Sequence, residues 1–157
     1  MRPDRTTWHL DGADWLSQMG DCTRRKVGAL IVGPDKRFLG MGYNGGRPGG
    51  PSCLAGDCPR GRHGRDFTRY GYCLCGNAWP CPDAVAPGSS YDTGPGACIG
   101  THAEDNAVDD AKTKGHGRMP GSVMYVTCEP CEGCVRMVRN KTDIEAIIWP
   151  DGVVALP

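Results

Sequence analysis

Residues 101–134 open with Thr101-His102-Ala103-Glu104-Asp105-Asn106-Ala107 and close with Cys128-Glu129-Pro130-Cys131-Glu132-Gly133-Cys134. Thr101 reads as a helix N-cap with Glu104 at the third helical position, the pattern of a capping box. Ala103, Ala107, Val108 and Ala111 recur on one helical face, and Gly115 stands where the helix should end. Ser122 to Cys128 then reads as a strand. Pro130 suits the first turn of a second helix reaching about Asn140, with Val135, Met137 and Val138 facing inward. Helix, strand and helix in so short a span point to an α/β fold.

Working outward, Trp8, Leu10, Trp15, Leu16 and Met19 have loosely helical spacing over residues 8–22, with Asp11 or Asp14 as the helix start. Val27 to Val32 is a β-branched run closed by the turn Gly33-Pro34-Asp35-Lys36, and Phe38 to Tyr43 can return beside it as a hairpin. Ile144 to Trp149 is the last clear strand. The runs at Val27–Val32 and Met124–Val126 are apolar without alternation, which requires cover on both sheet faces. The expectation is one domain over residues 1–157: a three-layer α/β/α sandwich with a central mixed sheet of four to five strands. With four, the sheet would keep an open edge for a partner subunit to complete.

The chain has 157 residues, one domain's worth, and its 18 basic and 18 acidic residues cancel. That balance argues against a nucleic-acid partner, while a small phosphorylated ligand needs only a local patch. No apolar run is long enough to cross a membrane. Met1-Arg2-Pro3-Asp4-Arg5 leads into no apolar segment, so a cytoplasmic protein is expected. Ten cysteines in that compartment favour metal over disulfides. Between Gly45 and Gly100 periodicity fails, and residues of about 53–98 form a Cys/Gly/Pro-rich insertion. Cys53, Cys58, Cys73, Cys75, Cys81 and Cys98 would hold this irregular chain as metal ligands where a core cannot.

Zinc takes four ligands, and a catalytic zinc keeps one position for water. His102, Cys131 and Cys134 supply three. Glu104, two residues after the histidine, is placed to take a proton from water at the metal and pass it to a substrate. Taken singly, Thr101 and Glu104 could be a plain capping box, and Cys131 with Cys134 half of a structural zinc ribbon. Together they favour catalysis, because a structural site has no use for that carboxylate.

His102-Ala103-Glu104-Asp105-Asn106-Ala107-Val108, followed by Pro130-Cys131-Glu132-Gly133-Cys134, resembles the signature of zinc-dependent nucleobase deaminases. Cys22-Thr23-Arg24-Arg25-Lys26-Val27-Gly28-Ala29 and Gly42-Tyr43-Asn44-Gly45 narrow the resemblance, within the cytidine deaminase superfamily, to the deoxycytidylate (dCMP) deaminases. The likeness covers roughly residues 12–53 and 98–150. It implies hydrolytic deamination of dCMP to dUMP with release of ammonia, in a homo-oligomer. It implies a catalytic zinc on His102, Cys131 and Cys134, Glu104 as the acid and base, and substrate contacts from Arg24, Asn44 and Ala103. Gly42, Tyr43 and Gly45 correspond to an allosteric nucleotide site of some relatives. A structural zinc is also implied, with Cys22 and Cys53 as its firmest members and Cys75 and Cys98 completing it. Two features depart from the pattern: Gly46-Arg47-Pro48 places an extra residue before the proline, and Gly100 stands near where relatives carry a ligand. Two alternatives stay open. One is a deaminase of another nucleobase substrate (a free base, a nucleoside or a base in nucleic acid), which Glu129-Pro130-Cys131 also resembles. The other is a non-catalytic, zinc-stabilised binding module.

Overall fold

The computed structural model describes residues 1–86, 88–90, 93–94 and 96–157. Its elements are Arg5–Ser17 (α1), Gly28–Val32 (β1), Phe38–Tyr43 (β2), Thr68–Arg69 (β3), Tyr72–Cys73 (β4), Ala103–Thr113 (α2), Val123–Val126 (β5), Glu132–Lys141 (α3), Ala146–Trp149 (β6) and Gly152–Ala155 (β7). They fall into two compact units. Met1–Gly20, Lys26–Asn44 and His102–Pro157 form the first; Asp21–Arg25 and Gly45–Thr101 form the second.

The first unit carries a five-stranded sheet in the order β2-β1-β5-β6-β7. Only β5 and β6 run parallel, so the sheet is mixed. All five residues of β1 are buried. Side chains alternate across a strand, so Ala29 and Ile31 join Met124, Val126 and Ile147 beneath α2 and α3, while Leu30 and Val32 join Tyr125 and Ala13 of α1. This is the three-layer sandwich, with helices on both faces. The fifth strand escapes sequence reading because Gly152–Ala155 is four residues long and half-exposed; it pairs antiparallel with β6, from Ala146↔Ala155 to Trp149↔Gly152.

Glycine sets the distance between β2 and α2. Gly40 and Gly42 are the buried positions of β2. A Cβ on Gly42 would collide with the carbonyl of Ala103 and lie 2.5 Å from the Ala107 nitrogen. Two side chains of α2 then bond to the edge strand: Asp110 Oδ2 accepts the Met41 N–H at 2.9 Å and Asn106 Nδ2 donates to the Tyr43 carbonyl at 2.8 Å. A paired edge is a protected one.

Helix starts differ from the sequence reading. α1 is capped by Asp4, whose carboxylate accepts the Thr7 N–H at 3.0 Å, rather than by Asp11 or Asp14. Its packed face is His9, Ala13 and Ser17, with Leu10 and Leu16 half-buried, whereas Trp8, Trp15 and Met19 are exposed. Gly28 explains the small residues: the Ala13–Ser17 backbone comes so close that a Cβ there would meet the Ala13 carbonyl. His102, not Thr101, is the N-cap of α2, which moves Glu104 to the second helical position. Cys131 is the N-cap of α3, so Pro130 precedes the helix.

The second unit is held differently. Its strands β3 and β4 are joined by Tyr70 and Gly71, with φ of 52° and 82°, the doubly positive pair of a tight hairpin. Among the described residues, its buried apolar side chains are four cysteines, Cys53, Cys58, Cys73 and Cys81. Arg60, 8% exposed, donates to the carbonyls of Ser89, Ser90 and Gly96. Gly45 and Thr101 exchange both backbone hydrogen bonds at 3.0 Å and tie the two ends of the excursion together.

Candidate active site

The starts of α2 and α3 converge. His102 has extended backbone (φ −67°, ψ 151°) and its side chain makes no capping bond. Its Nδ1 lies 3.3 Å from Cys134 Sγ and 3.7 Å from Cys131 Sγ. Cys131 Sγ also accepts the Cys134 N–H at 3.3 Å, so the sulfur sits over the first turn of α3. All three donor atoms lie within 4.8 Å of one another.

This donor set fits zinc. Bond lengths of ~2.0–2.1 Å to nitrogen and ~2.3 Å to sulfur at tetrahedral angles give an N···S edge of about 3.6 Å. The two measured edges bracket that value. Burial pushes the Cys134 thiol well above its ordinary value, and the negative charges of Glu104 and Cys131 push it further. Without metal the sulfur therefore keeps its proton; a bound cation would displace it. Three protein ligands leave the fourth position of a tetrahedron open, the pattern of a catalytic rather than a structural site.

Glu104 is 4% exposed, and its negative charge adds to burial in raising the Cys134 thiol. It lies beside the donor group without being part of it. A carboxylate beside a metal site is the kind of group that can accept and release a proton.

The other sequence-derived residues have definite places. Asn44 Oδ1 accepts the Val27 N–H at 2.8 Å, and the Asn44 N–H donates to the Val27 carbonyl at 3.1 Å, so this side chain clamps the end of the β1–β2 hairpin. Ala103 packs in the core, 1% exposed. Gly42 is needed for the contact with α2, and the Tyr43 carbonyl anchors Asn106. Gly45 and Arg24 belong to the second unit; Arg24 is exposed and its backbone N–H donates to Cys22 Sγ at 3.4 Å.

The quartet Cys22, Cys53, Cys75 and Cys98 is not assembled. Cys53 and Cys98 gather with Cys58, whose Sγ is 3.9 Å from that of Cys98, whereas Cys75 lies with His63, Cys73 and Cys81. The reason is local: Cys75 follows β4 directly and stays with its own hairpin. Cys22 lies near the first group, since its charge helps raise the thiols of Cys53 and Cys98, after burial and Cys58 in each case. Asp21 shapes that loop by accepting from the Ser52 hydroxyl and the N–H groups of Cys53 and Leu54. Cys58, one of the insertion cysteines expected to bind metal, stands outside the expected quartet, and His63 escapes sequence reading as a candidate ligand. The short spacing from Cys53 to Cys58 was the available signal for one; a lone histidine ten residues before Cys73 gave little for the other.

Residues 6–149 match the family model described as the cytidine and deoxycytidylate deaminase zinc-binding region. A deoxycytidylate deaminase of Mycobacterium phage D29 is 33% identical over 149 residues, covering 95% of this chain and 96% of the phage protein. Two solved structures share the fold. The dCMP deaminase of cyanophage S-TIM5, in complex with dCMP and dUMP, superimposes with a TM-score of 0.58 at 22% identity, over 95% of this chain and 82% of that one. Cytidine deaminase from Mycobacterium leprae gives 0.51 at 13% identity, over 95% and 92%. Matched across residues 6–149 and aligned with the phage enzyme over nearly its whole length, the chain belongs to the cytidine and deoxycytidylate deaminase family, a family of zinc enzymes.

Proposed function

We propose that the chain deaminates a cytosine nucleotide hydrolytically, converting dCMP to dUMP and ammonia. The observation that carries this reading is the buried Glu104 beside the His102–Cys131–Cys134 donor group; the substrate class rests on the phage relative's name. Zinc on those three residues would supply a Lewis acid that makes water a nucleophile near neutral pH. Glu104 carries the protons. It takes one from the attacking water and gives it to the ring nitrogen next to the amino-bearing carbon. It then takes the second from the new hydroxyl and gives it to the amino group as the carbon–nitrogen bond breaks. Burial of Glu104 keeps this transfer away from bulk water. Asn44 and Ala103, and Arg24 toward the phosphate, are assigned to the substrate on the resemblance alone.

The assay is ammonia release by zinc-reconstituted protein from dCMP, dCTP, cytidine, cytosine and single-stranded DNA. dCMP should be the preferred substrate, and failure to turn over any monophosphate overturns the reading. Glu104→Gln should lower kcat by at least ~10²–10⁴-fold while keeping the catalytic metal. Indifference to that change would identify a binding module instead. Cys53, Cys58 and Cys98, with Cys22 as the fourth ligand, are proposed to hold a second zinc, which metal analysis of a Cys53→Ser/Cys58→Ser variant tests. A homo-oligomer is expected from the resemblance and is read from sedimentation. No helix among the described residues is long and apolar enough to cross a membrane; the cytoplasmic location is an expectation from the sequence, which fractionation would test.

A further inference from the structure

The second unit faces a physical problem that the active site does not answer. A unit of this size needs a core or a staple. Its buried apolar side chains among the described residues are cysteines, and no cysteine of the chain is in a disulfide. The Cys53 group accounts for one part of it. The hairpin from His63 to Cys81 needs its own explanation.

Four donors meet there: His63 Nδ1 and the sulfurs of Cys73, Cys75 and Cys81, all within 4.8 Å of one another. The Cys73 and Cys81 sulfurs are 3.5 and 3.6 Å from His63 Nδ1, and Cys75 Sγ is 3.6 Å from Cys81 Sγ. A tetrahedral zinc would set these edges at about 3.6 Å for N···S and about 3.8 Å for S···S. Three thiols and an imidazole are otherwise poor partners for one another, since each thiol is only a weak donor and acceptor.

The local chain is shaped to present these donors. The hairpin turn at Tyr70–Gly71 brings Cys73 back beside Thr68. Immediately after it, the Gly76 N–H donates to the Cys73 carbonyl at 2.8 Å and the Cys73 N–H donates to the Asn77 carbonyl at 2.8 Å. Gly76 has φ of 100°, which a side chain would resist. This tight turn carries Cys75 at its tip. Asn77 Nδ2 then points at two sulfurs, 3.5 Å from Cys75 and 3.7 Å from Cys81, while also donating to Asp83 at 2.9 Å. Donors from outside onto ligand sulfurs are what a thiolate–metal centre uses to fix its ligands.

We propose that His63, Cys73, Cys75 and Cys81 bind a structural zinc ion that organises the hairpin, separate from the catalytic donor group and from the Cys53–Cys58–Cys98 group. Four protein ligands fill the tetrahedron, so this site has no open position and no chemistry of its own. It holds in place a piece of chain with too little apolar surface to fold alone.

The test uses the full chain, reduced and reconstituted with zinc. Iodoacetamide labelling is followed thiol by thiol by peptide mass spectrometry, with and without a strong chelator. Cys75 is an exposed cysteine, so without metal it should label quickly. With zinc bound its labelling should slow by at least tenfold, and chelation should restore it. In parallel, a His63→Ala/Cys75→Ser double variant should contain one zinc per chain fewer than wild type while the deaminase metal is retained. Equal labelling of Cys75 in loaded and stripped protein overturns the proposal, and so does an unchanged zinc content in the variant. Should the variant be insoluble, labelling of the wild type decides alone. Loss of deaminase activity through Glu104→Gln moves neither readout, so the two readings fail separately.

Discussion

Replacing Gly42 with alanine would drive a methyl group from β2 into the backbone of the helix that carries His102 and Glu104. The new carbon would collide with the Ala103 carbonyl, stand 2.5 Å from the Ala107 nitrogen and 3.0 Å from the Asn106 carbonyl carbon. All three are backbone atoms, so no side chain can swing away. Restoring an ordinary contact of 3.4 Å to all three requires the helix and strand to part by about 1 Å. Overpacking of this kind costs about 1–3 kcal/mol. At about 2–4 °C per kcal/mol for a chain of this size, the Tm should fall by roughly 2–12 °C. The kinetic effect should be larger, because α2 begins at the active site and a misplacement near 1 Å can cost about a hundredfold in rate. Gly28→Ala is the control. Its methyl group would strike the Ala13 carbonyl of α1, on the sheet face away from α2 and α3. It should destabilise comparably and leave kcat/KM for dCMP within about threefold of wild type. Thermal melts and dCMP kinetics, measured well below both melting points, decide the matter. If Gly42→Ala keeps kcat/KM within about threefold while melting lower, the β2–α2 spacing does not set the active-site geometry, and the reasoning fails.

Three further outcomes follow from the first unit. His9 is 2% exposed, its ring nitrogens find no hydrogen-bond partner among the described residues, and burial, then the charges of Arg5 and Lys36, lower its pKa from 6.5. The unfolded chain therefore binds a proton that the folded one refuses: this stability is fully present above about pH 6.5 and declines as pH falls below it, and His9→Phe should flatten that limb of the urea-midpoint profile. Asn44→Ala leaves the Val27 N–H without its acceptor and should cost about 1–3 kcal/mol in urea denaturation, whereas Asn44→Asp retains an oxygen there and should recover most of it. Ile147→Ala, at a position 0% exposed between α-helical and sheet layers, should cost about 2–5 kcal/mol in the same experiment.

The sheet was legible where hydrophobic pattern had no competitor. Val27–Val32 and Phe38–Tyr43 are continuous runs bounded by turn residues, and β1 and β2 lie there. The donors His102, Cys131 and Cys134 were legible because each half of the set is local, His102 two residues before Glu104 and Cys131 three before Cys134, and because His102 and Cys131 are the N-caps of α2 and α3. What failed was decided by non-local packing. α1 does not bury its tryptophans, because Gly28 admits the helix backbone so closely that only small residues fit between. Thr101 lost the N-cap to His102 because its backbone is committed to pairing with Gly45. The partition of the cysteines into groups was not legible either, since spacing gives candidates but only the hairpin geometry says that Cys75 faces His63 rather than Cys53.

The reciprocal pairing of Gly45 with Thr101 has a consequence for how this chain can change. Everything from Gly46 to Gly100 departs and returns through one pair of adjacent backbones. Closing a longer excursion over the same two ends costs only logarithmically more in entropy. The pair therefore acts as a collar on length: residues can be added or lost inside the excursion while Gly45 and Thr101 keep their two bonds and the register in which the chain reaches His102.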